Sequence, residues 1–151
     1  MLVVENIEVV YQTYVLVLKG LSLQVQSGAV TALLGTNGAG KSRKLKAISG
    51  LLEPEDGEVT RGRISFNGVD ITHMAPDRRV ASGIVQVMEG RRIFQDLSVE
   101  ENIRIGAYLE RDVRKTAARI ELVYNYFPRL AERRKQLAGY LSGGEQQMLA
   151  I

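Results

Sequence analysis

Residues 35–42 read Gly35-Thr36-Asn37-Gly38-Ala39-Gly40-Lys41-Ser42, and this stretch decides the fold. It matches G-x-x-x-x-G-K-[ST], the pattern of a phosphate-binding P-loop between a strand and a helix. The glycines let the backbone curl round an anion, and the helix that follows presents unpaired N–H groups to it. In such a loop Lys41 reaches the β- and γ-phosphates and the Ser42 hydroxyl binds Mg²⁺. The alternative is a glycine-rich loop that binds nothing.

The residues on either side supply the context that this motif requires. Residues 29–34 are apolar and partly β-branched, which predicts a buried strand leading into the loop. After the loop, Leu45, Ile48 and Leu52 recur at helical spacing, and Gly50 is a suitable left-handed cap for that helix. The motif is therefore predicted to occupy a strand-to-helix turn.

Composition sets wider limits on function. The chain has 151 residues, 45% of them hydrophobic and 25% charged, which is typical of one soluble globular domain. The absence of cysteine excludes disulfides, thiol catalysis and zinc–thiolate sites. No apolar run reaches the roughly 20 residues that span a bilayer, and the N-terminus lacks the pattern of a secretory signal, so we expect a cytoplasmic protein. The net charge of +3 does not distinguish between partners.

Strand patterns dominate the first part of the chain and helix patterns the rest. Apolar periodicity and turn residues predict strands over 2–10, 15–25, 63–66 and 84–87, with a tight turn at Asn67-Gly68. They predict helices from Pro76 to about residue 82, from the capping box 98–101 to Tyr108, over 113–127, and over 130–137. His73 lies in a polar connection and is interpreted as a surface residue.

A second motif occurs near the end of the sequence, where residues 141–147 read Leu-Ser-Gly-Gly-Glu-Gln-Gln. Two glycines after a serine at the start of a helix offer a hydroxyl, backbone N–H groups and a positive dipole end to an anion. Alone, the motif is also consistent with an ordinary helix N-cap. Its occurrence downstream of a P-loop makes it much more specific.

With both motifs in place, the whole chain resembles the ATP-binding cassette family. Residues 141–147 resemble that family's signature motif, residues 35–42 its P-loop, and Tyr11 its adenine-stacking aromatic residue. Residues 89–94 and 97–102 are similar to the ATP-binding subunits of branched-chain amino acid importers. Glu89 occupies the position of the Q-loop glutamine of most cassettes, and a glutamate there is similar to that branch.

The resemblance implies an α/β P-loop NTPase fold with an N-terminal antiparallel β subdomain, a helical subdomain and an incomplete core sheet. It divides the chain into an ATP-binding core (1–87), the Q-loop region with the helical subdomain (88–140), and the signature motif with the start of its helix (141–151). The implied cofactors are ATP and Mg²⁺, with Ser42 as the metal ligand. The implied nucleotide-binding residues are Tyr11, Gly35, Thr36, Asn37, Gly38, Ala39, Gly40, Lys41, Ser42, Arg43, Ser142, Gly143, Gly144 and Glu145.

The resemblance also implies partners and a location. Two cassettes would form a head-to-tail homo- or heterodimer, in which residues 142–144 of one subunit face the γ-phosphate held by Lys41 of the other. The dimer would dock on transmembrane permease subunits at the inner face of the cell membrane, with a solute-binding protein as an indirect partner. No nucleic acid partner is expected, because the sequence leaves no room for the long coiled coil of DNA-repair cassettes.

Three departures from the family pattern modify these expectations. Arg43 stands where the family has a threonine, while Met88 and Gln95 stand where the branched-chain branch has prolines. The chain ends at Ile151, before the strand with Asp-Glu and the switch histidine that the family places later. We therefore interpret it as roughly the first two thirds of a cassette. The parent is expected to be an ATPase and this chain alone to be inactive.

Two other functions remain open at this stage. The chain could act as a non-catalytic nucleotide-binding or dimerising fragment, or its parent could import urea or short amides instead of branched-chain amino acids. A small GTPase is disfavoured, because the sequence has no Asn-Lys-x-Asp motif for reading guanine.

Overall fold

The computed structural model describes residues 1–12, 14–36 and 40–151. The chain divides into two compact units, Met1–Gln86 and Val87–Ile151, each with its own hydrophobic core.

The first unit is built on a four-stranded antiparallel sheet with strand order β2-β1-β3-β4. The strands are β1 (Leu2–Tyr11), β2 (Val15–Val25), β3 (Gly57–Phe66) and β4 (Val69–Asp70). Asn67 and Gly68 have φ values of 49° and 81°. Positive φ at both central residues is typical of the tight hairpin turn predicted there. The predicted strand over 63–66 is therefore the end of a longer one that begins at Gly57.

A bulge in β1 requires glycine on the neighbouring strand. The register between β1 and β3 shifts between Glu5 and Glu8, where Asn6 has a φ of 48°. Gly62, opposite this shift, has a φ of +83°, and a Cβ there would lie 2.4 Å from the Glu5 carbonyl oxygen. Any other residue at position 62 would meet both a steric clash and backbone strain.

Helix α1 covers one end of the core of this unit. It runs over Lys41–Ser49, and Gly50 closes it in the left-handed conformation that the sequence predicts. A second, short helix, α2 (Pro76–Ala81), begins with Pro76 in its first turn. The sheet and α1 bury one cluster between them, formed by Val4, Ile7, Val9, Leu18, Ala47, Ile48, Leu52, Ile64 and Ile71.

Two predicted buried strands are wrong for this chain. Residues 29–34 and 84–87 form no strand, and most of their side chains are exposed, including Val30, Leu34 and Val85. A strand needs a neighbour to pair its backbone N–H and C=O groups, and neither run pairs with another strand in the described part of the chain. Apolar, β-branched composition alone therefore did not produce strand structure.

The second unit is helical. Its helices are α3 (Val99–Gly106), α4 (Val113–Tyr126), α5 (Pro128–Glu132) and α6 (Gly143–Ala150). The capping box predicted at 98–101 is confirmed: the Ser98 hydroxyl accepts from Glu101 N–H and the Glu101 carboxylate accepts from Ser98 N–H. The core of this unit comprises Val99, Ile120, Tyr124, Leu130, Ala138 and Leu141.

The predicted helix over 130–137 is also wrong in its extent, since α5 begins at Pro128 and ends at Glu132. The backbone after it turns back to the start of α3. The carbonyls of Arg134 and Gln136 accept from the N–H groups of Glu100 and Val99, and Leu137 bridges to Ser98. These contacts satisfy N–H groups at the start of α3 that have no partner within the helix, which outweighs the helix-forming composition of 133–137. In the described residues, no helix is both long and apolar enough to cross a membrane.

Candidate functional site

At the start of α1, the structure shows how the backbone of Gly40 and the side chain of Lys41 are arranged at the end of the P-loop. Gly40 precedes the helix in a left-handed conformation (φ 72°, ψ 20°), and among the residues that the structure describes no side chain caps the helix. Lys41 Nζ donates to the carbonyl oxygens of Gly35 at 2.6 Å and Thr36 at 2.8 Å. These bonds hold the ammonium group against the loop that the sequence predicts to bind phosphate. Residues 37–39 lie outside the described residues, so the roles expected for Asn37, Gly38 and Ala39 stay predictions.

The electrostatics of this helix end favour an anion. Lys41, Arg43 and Lys44 fall in the first four residues of α1, and its first turn contains no acidic residue. The N-terminus of a helix is the positive end of its dipole, where an anion is stabilised by roughly 0.3–1 kcal/mol. The cations add to this attraction, and the uncapped N–H groups can donate to the same anion. Ser42, the expected Mg²⁺ ligand, lies in the same turn.

Tyr11, expected to stack on adenine, is half-buried against the core of the first unit. Burial is the main cause that raises the pKa of its phenol, and the charge of Glu55 raises it further. The Tyr11 hydroxyl is buried and has no hydrogen-bond partner among the described residues. Arg43 Cζ lies 5.7 Å from the centroid of the ring. The fold thus brings together two of the expected nucleotide-binding residues, Tyr11 and Arg43.

The signature-like motif forms the N-terminus of α6 in the second unit. Ser142 caps the helix: its hydroxyl accepts from Glu145 N–H at 3.3 Å, and Glu145 Oε2 accepts from Ser142 N–H at 2.8 Å. These hydrogen bonds from Ser142 are the main reason that the pKa of Glu145 is lowered, and Arg133, whose Nε lies 3.0 Å from Glu145 Oε1, contributes less. The side chains of Ser142 and Glu145 therefore support the helix end, while the binding role expected for them stays a prediction.

The two glycines of this motif lie in different surroundings. A Cβ on Gly143 would come within 2.6 Å of Arg91 Nη1, so the Arg91 guanidinium lies directly against the start of α6. A Cβ on Gly144 would meet no atom of the described residues within 4 Å. Arg91 is exposed and has a φ of 48°, an uncommon left-handed conformation for a residue other than glycine. This helix end, like that of α1, therefore has a cation beside its first N–H groups.

The segment that begins with Glu89 is held by a side chain whose structural role the sequence analysis missed. Glu89 is exposed and lies in a turn. Farther along, Asn102 Oδ1 accepts from Phe94 N–H at 2.8 Å, while its Nδ2 donates to the carbonyls of Phe94 and Ser98 at 2.9 Å. Asn102 thereby fixes the chain between Phe94 and α3. Only its place in the family-like stretch 97–102 could have drawn attention to it.

Arg79 is a second residue that the sequence analysis missed. It is 3% exposed, and its guanidinium donates to four backbone carbonyls: Met74, Ala47 and Ile48 at 2.8 Å and Thr72 at 2.9 Å. Burial lowers the pKa of Arg79. Two of these carbonyls belong to the last turns of α1, so Arg79 holds the C-terminal end of the helix whose N-terminal end carries Lys41. In the sequence, Arg79 stands beside Arg78 in a polar stretch, which is the pattern of a solvent-exposed charge.

The remaining polar side chains do not suggest a second centre. In the part of the chain that the structure describes, no group of three or more His, Cys, Asp or Glu side chains could hold a metal ion. A surface depression in the first unit is lined by Asp70, His73, Met74, Ala75 and Arg78. None of the predicted site residues that the structure describes lines it, and His73 is exposed as expected.

Comparisons with known proteins show which family this chain resembles in sequence and fold. The sequence model of the family described as "ABC transporter" matches residues 18–151. The ATP-binding protein BraG for high-affinity branched-chain amino acid transport in Pseudomonas aeruginosa is 38% identical over 134 residues, which cover 89% of this chain and 55% of that protein. A probable branched-chain amino acid transport ATP-binding protein, LivF of Archaeoglobus fulgidus, is 39% identical over 127 residues, covering 84% of this chain and 51% of that protein.

Relatives that are named for other solutes are also similar. The putative 2-aminoethylphosphonate import ATP-binding protein PhnT of Salmonella typhimurium is 31% identical over 150 residues, covering 99% of this chain and 38% of that protein. Among solved structures, an ATP-binding cassette of an ABC transporter in its ADP conformation has a TM-score of 0.77 and 28% identity, covering 99% of this chain and 62% of that one. The α/β fold is therefore that of an ABC ATPase cassette, and this chain spans about half the length of the two branched-chain relatives, 55% and 51%.

Proposed function

The chain belongs to the ABC transporter family, and we propose that the intact protein is the ATP-binding subunit of an importer that couples ATP hydrolysis to solute uptake. The observation that carries this proposal is the start of α1. This helix end is basic, and its first residue, Lys41, donates to the carbonyls of Gly35 and Thr36. This arrangement suits a polyanion such as the triphosphate of ATP.

The residues of the first unit have distinct roles in this proposal. Lys41 binds the β- and γ-phosphates, and the first N–H groups of α1 donate to the same oxygens. Ser42 supplies the protein oxygen for Mg²⁺, and the ion, when bound, neutralises charge on the phosphates.

In the proposed dimer, the second unit of one subunit completes the ATP site of the other subunit. We propose that the N–H groups of Gly143 and Gly144 and the guanidinium of Arg91 face the γ-phosphate held by the partner's P-loop. The space over Gly144, where a Cβ would meet no atom of the described part of the chain within 4 Å, leaves room for such an approach. Permease subunits at the cytoplasmic face of the membrane complete the proposed assembly.

Branched-chain amino acids are the proposed solutes. The names of the two relatives at 38% and 39% identity support this choice, as do residues 89–94 and 97–102. The relative that is named for 2-aminoethylphosphonate import is 31% identical, which is a weaker similarity. Uptake of labelled leucine by cells that express the intact transporter, in competition with urea, short amides and 2-aminoethylphosphonate, tests the choice. Competition by leucine, isoleucine and valine alone would support it.

Nucleotide binding is tested on the 151-residue chain by titration with a fluorescent ATP analogue. Lys41→Ala removes a charge-assisted contact to phosphate and should weaken binding by about 10- to 150-fold. The matched control is Lys44→Ala, which removes a charge from the same helix end without this contact and should cost at most about fivefold. If Lys41→Ala binds as tightly as the parent chain, the P-loop is not the phosphate site. In the intact protein the same variant should lose ATPase activity and uptake together.

A further inference from the structure

Arg43 and Tyr11 form a cation–π pair beside the P-loop. Arg43 is the third residue of α1 and Tyr11 the last residue of β1. The distance of 5.7 Å between Arg43 Cζ and the ring centroid is within the range of a cation–π contact. Arg43 is exposed and Tyr11 is half-buried, and the guanidinium carbon lies over the ring.

The Tyr11 ring is fixed by the protein beneath it. Tyr11 pairs with Gly57 across β1 and β3, and a Cβ on Gly57 would lie 2.9 Å from Tyr11 Cε1. The buried hydroxyl has no partner among the described residues that could draw the ring elsewhere. Arg43 is therefore the part of the pair that can move, since its flexible side chain reaches the ring from an exposed helix position.

The charge of Arg43 has no carboxylate partner in the described part of the chain. Glu55, the acid whose charge acts on Tyr11, is paired with Lys46. A cation–π contact at an exposed position is weak, whereas a hydrogen bond from guanidinium to phosphate is charge-assisted and bidentate in its best geometry. A phosphate group at the start of α1 therefore attracts Arg43 more strongly than the ring does.

We propose that Arg43 is a positioning residue that covers the Tyr11 ring until phosphate binds. Access of a base to the ring then depends on the phosphates of the ligand. Polyphosphate at the start of α1 draws the guanidinium off the ring, and the base of the nucleotide takes its place on Tyr11. This rests on the proposed function of the P-loop. It accounts for an arginine at a position where the resemblance expects a threonine, because a threonine cannot reach and cover the ring.

The direct test observes the Tyr11 ring while a base-free ligand binds. The chain is labelled with 3-fluorotyrosine, the Tyr11 signal is assigned by Tyr11→Phe, and inorganic tripolyphosphate is added while ¹⁹F spectra are recorded. The Tyr11 signal should shift in the parent chain and in Lys44→Thr, the matched loss of a neighbouring cation. It should not shift in Arg43→Thr, while the signal of Tyr14, which is 90% exposed, stays in place throughout.

A second measurement tests the predicted coupling between phosphate and base. In the parent chain, saturating tripolyphosphate should tighten adenosine binding by about two- to fivefold, the value of one exposed cation–π contact. In Arg43→Thr, adenosine alone should bind tighter by the same factor, and tripolyphosphate should no longer change its affinity. A ¹⁹F spectrum with the dispersion of the parent chain verifies that this variant is folded.

The outcomes separate this proposal from the one on which it rests. Tripolyphosphate binding that depends on Lys41 but leaves the Tyr11 signal of the parent chain unchanged would overturn the proposal for Arg43 and leave the phosphate site of the P-loop intact. Weaker adenosine binding in Arg43→Thr would also overturn the proposal for Arg43, because the arginine would then be supporting the base. If tripolyphosphate shows no binding that depends on Lys41, both proposals fall.

Discussion

At the scale of single residues, Arg79 shows how one side chain can support a site that it does not enter. Its guanidinium fills the space between the end of α1 and the chain before α2, against Gly50, where a Cβ would lie 2.9 Å from Arg79 Nε. The C-terminal end of a helix carries partial negative charge, so a cation there is stabilising. The fixed fork of donors serves four carbonyls at once, which an ammonium group on a lysine stem cannot do.

We expect Arg79→Lys to destabilise the first unit by about 3 kcal/mol, because buried carbonyls lose their donors. Urea denaturation followed by circular dichroism measures the change in the free energy of unfolding. Arg78→Lys is the matched control: Arg78 is adjacent, exposed and of the same type, so its loss should stay within about 0.5 kcal/mol. Equal stability of the two variants would show that the four hydrogen bonds of Arg79 contribute nothing measurable.

At the scale of elements, two helices of the second unit have a capping carboxylate at their starts. α3 and α6 both begin with a capping box, Ser98 with Glu101 and Ser142 with Glu145. In each pair, hydrogen bonds from the serine are the main cause that lowers the pKa of the glutamate. A carboxyl whose folded pKa lies below its unfolded value of about 4.3 stabilises the protein above that pH. This stability is lost as the pH falls through the folded pKa.

Glu101→Gln and Glu145→Gln should therefore lower Tm at pH 6 and lose that effect in acid. Glutamine keeps an acceptor for the cap but cannot titrate. The difference in Tm between the parent chain and each variant should be constant above about pH 5, shrink below about pH 4.3 and vanish below the folded pKa. Calorimetric scans from pH 2.5 to 6 measure it, and Glu121→Gln, an exposed carboxylate that caps no helix, gives the baseline. A difference that is constant at every pH would mean that capping does not act through the ionised carboxylate.

At the scale of the whole molecule, the sequence predicted local structure better than pairing between distant segments. The cap at Gly50, the turn at Asn67-Gly68 and the box at 98–101 depend on a few neighbouring residues, and all three are confirmed. The runs 29–34 and 84–87 have strand composition, yet whether they form strands depends on partners elsewhere in the chain. The cation–π contact between Arg43 and Tyr11 could not be predicted for the same reason, because it joins a helix to a strand far apart in sequence.

The predicted site shows the same limit. Residues 35–42 and 141–147 were recognisable because each motif needs a fixed local sequence. The structure places Lys41 and Gly143 at the first positions of helices as predicted, whereas residues 29–34 do not form the strand predicted before the P-loop. The burial of Arg79 was not predictable, because nothing in the sequence around Arg78 and Arg79 distinguishes a buried arginine from a solvated one.

Because the two units have separate cores, a ligand of the P-loop should stabilise them unequally. A ligand at 100 times its Kd adds about 2.7 kcal/mol to the stability of the unit that binds it, which slows exchange through global opening about 100-fold. Hydrogen exchange with mass spectrometry at low protein concentration, with and without tripolyphosphate, should show this protection for peptides from Met1–Gln86. Peptides from Val87–Ile151 should exchange at unchanged rates. Lys41→Ala should remove the protection, and equal protection of both units would show that they unfold as one cooperative body.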